Sequence, residues 1–90
     1  METTFIGVTV TREQVLTALR DFDAVYPDDN QYDNWREKKG YKYAIEYGDR
    51  LYPLKHILSE ITGISVNDFS GGEQTNRVFR QLGFTVIDKP

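Results

Sequence analysis

The stretch Asp68-Phe69-Ser70-Gly71-Gly72-Glu73-Gln74-Thr75-Asn76-Arg77 holds the residues of this chain best suited to meeting a ligand. Two glycines at the mouth of a predicted helix let another group come close to the backbone. A helix N-terminus offers unpaired N–H groups and the positive end of the helix dipole, which suits an anion such as phosphate. Beyond the glycines, Gln74, Asn76, Arg77 and Arg80 fall with Glu73 and Gln81 on the side expected to be exposed. Asn and Gln pair with adenine edges, and Arg with guanine edges. The same Ser-Gly-Gly can instead serve the fold, with Ser70 as an N-cap and the glycines packed against a neighbouring element; spacing leaves both uses open.

Other chemistries are poorly supplied. No Gly-Lys-Ser/Thr follows the glycines, and they do not form a dinucleotide fingerprint, so nucleotide hydrolysis is disfavoured. His56 is the single histidine and there is no cysteine, which excludes Cys–His nucleophiles and multi-histidine metal sites. Asp28-Asp29 sits in a Pro/Asn-rich stretch and reads as turn-forming rather than as a metal-binding pair. We assign no catalytic residue, metal or cofactor.

The elements that must position this corner fit one small domain of 90 residues, with its core over about 11–88. A chain this short buries a modest share of its surface. With 39% hydrophobic and 13% aromatic residues it should nonetheless fold. The absence of cysteine fits a reducing cytoplasm, and no apolar run approaches membrane-spanning length. A net charge of −3 and a pI near 5.0 argue against a generally basic nucleic-acid binder but allow one basic face. Acidic residues gather in Asp21, Asp23, Asp28, Asp29 and Asp33. Basic ones gather in Arg36, Lys38, Lys39 and Lys42, then Arg50 and Lys55, then Arg77 and Arg80.

In chain order, residues 4–10 alternate loosely, as an edge strand or ordered arm. Thr11-Arg12-Glu13-Gln14 is a capping box opening a helix over about 12–24, with Val15, Leu16, Leu19 and Phe22 on one face. Trp35 reads as a core anchor for the loop that follows. Tyr41, Tyr43, Ile45 and Tyr47 alternate as a strand, Gly48-Asp49 is a two-residue hairpin turn of the glycine-first kind, and Arg50-Leu51-Tyr52 returns. Pro53 is expected as the first residue of a second helix, which Gly63 ends. Thr75, Val78, Phe79 and Leu82 mark the buried stripe of a third helix, stopped at Gly83, and Phe84-Thr85-Val86-Ile87 closes the sheet. The fold class is α+β, in the order helix, β-hairpin, helix, helix, strand, and winged-helix-like.

Several of these pieces together resemble a known family. Tyr41-Lys42-Tyr43-Ala44-Ile45, Gly48-Asp49-Arg50-Leu51-Tyr52-Pro53-Leu54-Lys55, Phe69-Ser70-Gly71-Gly72-Glu73 and Leu82-Gly83-Phe84 are similar to the N-terminal domain of McrA-like, HNH-type restriction endonucleases, which cut modified DNA. The resemblance runs from about Thr11 to Asp88. It implies a DNA-recognition head that precedes a separate nuclease domain, with modified cytosine as the candidate target, and carries over Tyr52, Lys55, Ser70, Gly71 and Gly72. No nuclease motif is present, and Asp88-Lys89-Pro90 reads as a cut at a domain boundary.

The functional expectation is a non-catalytic, cytoplasmic DNA-binding specificity domain of restriction and antiviral defence, with double-stranded DNA as partner and a nuclease domain in cis. Its candidate contacts are Lys39, Lys42, Arg50, Tyr52, Lys55, Ser70, Gly71, Gly72, Gln74, Asn76, Arg77 and Arg80. The alternative is a small phage or mobile-element regulator that docks on a protein, which the acidity and the six tyrosines would suit. A basic patch over Lys55, Ser70 and Arg77 favours the first, and a flat Tyr-rich patch the second.

Overall fold

A computed structural model describes residues 1–27, 35–39, 41–70 and 72–89. The Asp28-Asp29 turn and Gly71 lie outside the described residues.

The chain opens on a hairpin rather than a single arm: β1 (Glu2–Phe5) pairs antiparallel with β2 (Val8–Thr11). The two-residue loop Ile6-Gly7 has left-handed φ at both positions, 48° and 75°, a type I′ turn whose twist matches its strands. Loose alternation over residues 4–10 concealed it, because no Asn-Gly or Asp-Gly pair marks the turn.

Helix α1 (Arg12–Val25) follows directly. Its capping box is present: the Gln14 N–H donates to Thr11 Oγ1 at 3.1 Å and the Thr11 N–H to Gln14 Oε1 at 2.9 Å. Val15, Leu19 and Phe22 turn inward at helical spacing. Strand β3 (Tyr43–Tyr47) and β4 (Arg50–Pro53) form the second hairpin across Gly48-Asp49, with Gly48 at φ 61°. Ala44 and Ile45 point to opposite sides of β3, yet both are buried. Only Ile45 joins the main core; Ala44 and Trp35 are covered outside it, so the sheet is screened on both faces.

Pro53 ends β4 and is the N-cap of helix α2 (Leu54–Thr62), with extended backbone at φ −71° and ψ 106°, so the helix begins one position later than expected. Gly63 ends α2 in the left-handed conformation, φ 77°. Helix α3 (Glu73–Gln81) carries Thr75, Val78 and Phe79 inward. Strand β5 (Thr85–Asp88) then pairs with β3, giving the sheet order β4-β3-β5, all antiparallel. The three helices and both hairpins meet over one apolar core that includes Phe5, Val10, Leu19, Ile57, Phe79 and Leu82. The result is a small α+β fold compatible with a winged-helix-like arrangement. Among the described residues no helix is long and apolar enough to cross a membrane.

Candidate nucleic-acid interface

Helix α3 begins two residues later than Ser70 would place it. Ser70 is exposed and makes no cap bond among the described residues; Gly72 takes the N-cap position. The cap is made from inside the helix, where Thr75 Oγ1 accepts from the Gly72 N–H and donates to the Gly72 carbonyl, both at 2.9 Å. Gly72 is extended at φ 163°, and a Cβ there would meet nothing within 4 Å. Neither backbone conformation nor crowding inside the chain calls for glycine at this position.

Glu73, Gln74, Arg77, Arg80 and Gln81 are exposed on α3. Asn76 is not: it is 2% exposed, so the expected outward position is corrected. At 100° per residue Asn76 lies between the buried Phe79 and the exposed Arg80, and the packing around α3 is wide enough to cover it. Its Oδ1 is buried and finds no hydrogen-bond partner among the described residues. Arg80 is paired with Glu73 at 3.7 Å, which leaves Arg77 as the exposed cation of α3 with no acidic partner among the described residues.

Lys55, half-buried on α2, joins this corner. Its Nζ sits 5.7 Å from the ring centre of Phe69, just ahead of Ser70. Phe69 in turn meets Phe5 edge-on at 5.3 Å. The N-terminal hairpin is fastened along α3 as well, with Thr3 Oγ1 donating to Gln81 Oε1 at 2.5 Å. Lys55, Ser70, Gly72, Gln74 and Arg77 therefore gather round the first turns of α3, bordered by β1.

The remaining candidates fall elsewhere. Lys42 precedes β3 and accepts at its carbonyl from the Lys89 N–H, while exposed Lys39 lies near it in sequence; both belong to the end of the sheet far from the α3–β5 link. Arg50 and Tyr52 are turned into the body of the molecule. Arg50 Nη1 contacts Asp23 at 2.6 Å, Arg50 Nη2 donates to the Tyr26 carbonyl at 2.5 Å, and Tyr52 donates its hydroxyl to Asp23 at 2.8 Å. These bonds tie α1 to the second hairpin. Burial, reinforced by the hydrogen bond to Asp23, pushes the Tyr52 hydroxyl up to about 12.

Helices α1 and α2 enclose a groove of about 520 Å³. Its floor includes Ala18, Phe22, Ile57 and Ile61, and its rim Glu13, Asp21 and Glu60. His56 borders it, and burial lowers that imidazole below its ordinary range. Arg12 is a residue that sequence reasoning missed. Its Nη1 donates to the Leu82 carbonyl at 2.5 Å and its guanidinium lies 4.5 Å from the Phe84 ring centre, joining the start of α1 to the end of α3. Its place beside a capping Thr gave no signal of a tertiary role.

The family model of the ScoMcrA-like N-terminal head domain matches residues 8–88. The chain belongs to that family. The match takes in everything from β2 to β5, so the whole α3 corner of the head domain lies within it, while β1 and the Ile6-Gly7 turn precede it. Neither curated proteins nor solved structures give a match to this head domain. Among its described residues no group of three His, Cys, Asp or Glu side chains could hold a metal ion.

Proposed function

We propose that this head domain is a DNA-recognition module without catalysis of its own, attached in the cytoplasm to a nuclease domain of restriction and defence, and that it reads duplex DNA, with modified cytosine as the candidate mark. The observation that carries the reading is the α3 corner: Gln74 and Arg77 stand outward above a helix start flanked by Lys55, in a chain of net charge −3. Gln and Arg supply paired hydrogen bonds to base edges, and Lys55 with the first N–H groups of α3 supplies phosphate contacts. The open space at Gly72 supports a close approach from outside the chain. Membership in a head-domain family of McrA-like proteins points the same way.

Titration of labelled plain, methylated and hydroxymethylated duplexes tests it. Arg77→Ala should weaken binding by about 1–3 kcal/mol and relax preference at one base pair if Arg77 reads a base edge. A loss equal on all sequences assigns Arg77 to phosphate. No binding of the parent protein to any of these duplexes at low salt overturns the proposal. The groove between α1 and α2 favours one second reading, docking of a basic protein partner against Glu13, Asp21 and Glu60. It is distinguished by charge reversal at those three residues, which leaves DNA titrations unchanged and abolishes capture of such a partner.

A further inference from the structure

The tip of the N-terminal hairpin combines two features that do not belong together in a purely structural turn. The first position of a type I′ turn requires positive φ, which Asn, Asp or Gly adopt readily. Here it is Ile6, at φ 48°, the only non-glycine with positive φ among the described residues. A β-branched side chain in that conformation crowds its own backbone. Burial does not compensate, because Ile6 is 54% exposed whereas its neighbour Phe5 is 2% exposed. A single exposed apolar residue is ordinary. An exposed apolar residue held in an unfavourable backbone conformation is the kind of outlier that clusters at working sites.

Its position gives the work a direction. Strand β1 runs along α3 against the helix direction: Thr3 meets Gln81 at the C-terminal end, and Phe5 meets Phe69 just before the N-terminal end. The Ile6-Gly7 tip therefore extends past the first turn of α3, on the side where Lys55 lies over Phe69. A two-stranded hairpin pinned by the buried Phe5 immediately before its turn makes a stiff support for one apolar side chain.

We propose that Ile6 is a wedge, pressing between base pairs beside the segment that α3 contacts and bending the duplex there. The inference rests on the DNA reading above. Apolar wedges of this kind unstack one base step and recover the cost through the additional protein surface that bent DNA reaches. Lys55, on the same side, supplies a cation for a phosphate flanking the unstacked step.

The test is Ile6→Asn, with Ile6→Leu beside it, on end-labelled duplexes carrying 2-aminopurine and a fluorescence-transfer pair. Asn-Gly is the favoured type I′ pair, so Ile6→Asn should melt at the parent temperature or a few degrees above it. It should bind roughly tenfold more weakly, without the transfer change or the 2-aminopurine brightening that the parent produces. Ile6→Leu should keep both signals. If Ile6→Asn binds and bends DNA like the parent, or if the parent binds without bending it, the wedge is wrong and the DNA reading stands. If the parent binds no duplex, both fall. A marked drop in the melting temperature of Ile6→Asn overturns the wedge by showing that Ile6 serves the fold.

Discussion

At the scale of single residues, Tyr52 shows how a candidate contact becomes part of the framework. Its ring is 3% exposed and lies edge-on to Phe22 at 5.7 Å, and its hydroxyl donates to both oxygens of Asp23. The phenol is held protonated up to about pH 12, above its ordinary value of 10.0. Between those limits the folded chain keeps a proton that the unfolded chain has lost. The contribution is complete below pH 10 and disappears as pH rises to 12, on the order of 2 kcal/mol. Denaturant melts across that range should show a steep alkaline loss of stability. Tyr52→Phe should be less stable at neutral pH and show a shallower alkaline fall. A parallel fall in both proteins would place the titrating group elsewhere.

At the scale of elements, the first turn of α3 depends on one hydroxyl. Thr75→Val keeps the shape and removes both bonds to Gly72, so it should cost about 1–2 kcal/mol. Equal melting of Thr75→Val and the parent would deny that the cap matters. This cap also shows where the sequence was legible and where it was not. The α1 capping box, the Gly48-Asp49 turn and the Gly63 stop are local chemistry, and each stands where residue type placed it. Ser70 misled because serine favours the N-cap in general, whereas Thr75 from within the helix satisfies the same N–H. Asn76 misled because a helical wheel gives angles but not the width of the packing around them. The β1–β2 hairpin was concealed because its turn uses Ile where a local rule expects Asn. Arg50 and Tyr52 looked like surface groups until the fold brought Asp23, 27 residues away in sequence from Arg50, against them. The part of the candidate site on α3 could be read from side-chain type and period; its border, formed by Lys55, Phe69 and β1, exists only through long-range packing.

At the scale of the whole molecule, the longest dimension is 31 Å. At 3.4 Å per base pair one copy covers no more than about nine base pairs of straight duplex. The cations gathered at the α3 corner are Lys55, Arg77 and the partly neutralised Arg80, while Lys39 and Lys42 belong to the other end of the sheet. Two or three phosphate contacts predict a shallow dependence of log K on log salt, with a slope of about −2 to −3. A slope near that of a large basic repressor would require the distal lysines to join the interface. Bonds that close the fold join residues far apart in sequence: Thr3 to Gln81 and Arg12 to Leu82 at the end of α3, and the Lys89 ammonium to the Trp35 carbonyl at 3.3 Å at the other end of the sheet. This gives the protein a problem of timing during synthesis. Until residues 79–88 have left the ribosome, β3 lacks its β5 partner and β1 lacks the helix it lies on. Until then the nascent head domain carries an open strand edge and uncovered aromatic residues, the surfaces by which unfinished chains adhere to one another. A hairpin that closes only on a helix about 70 residues further along the chain makes folding of this domain wait for α3 and β5.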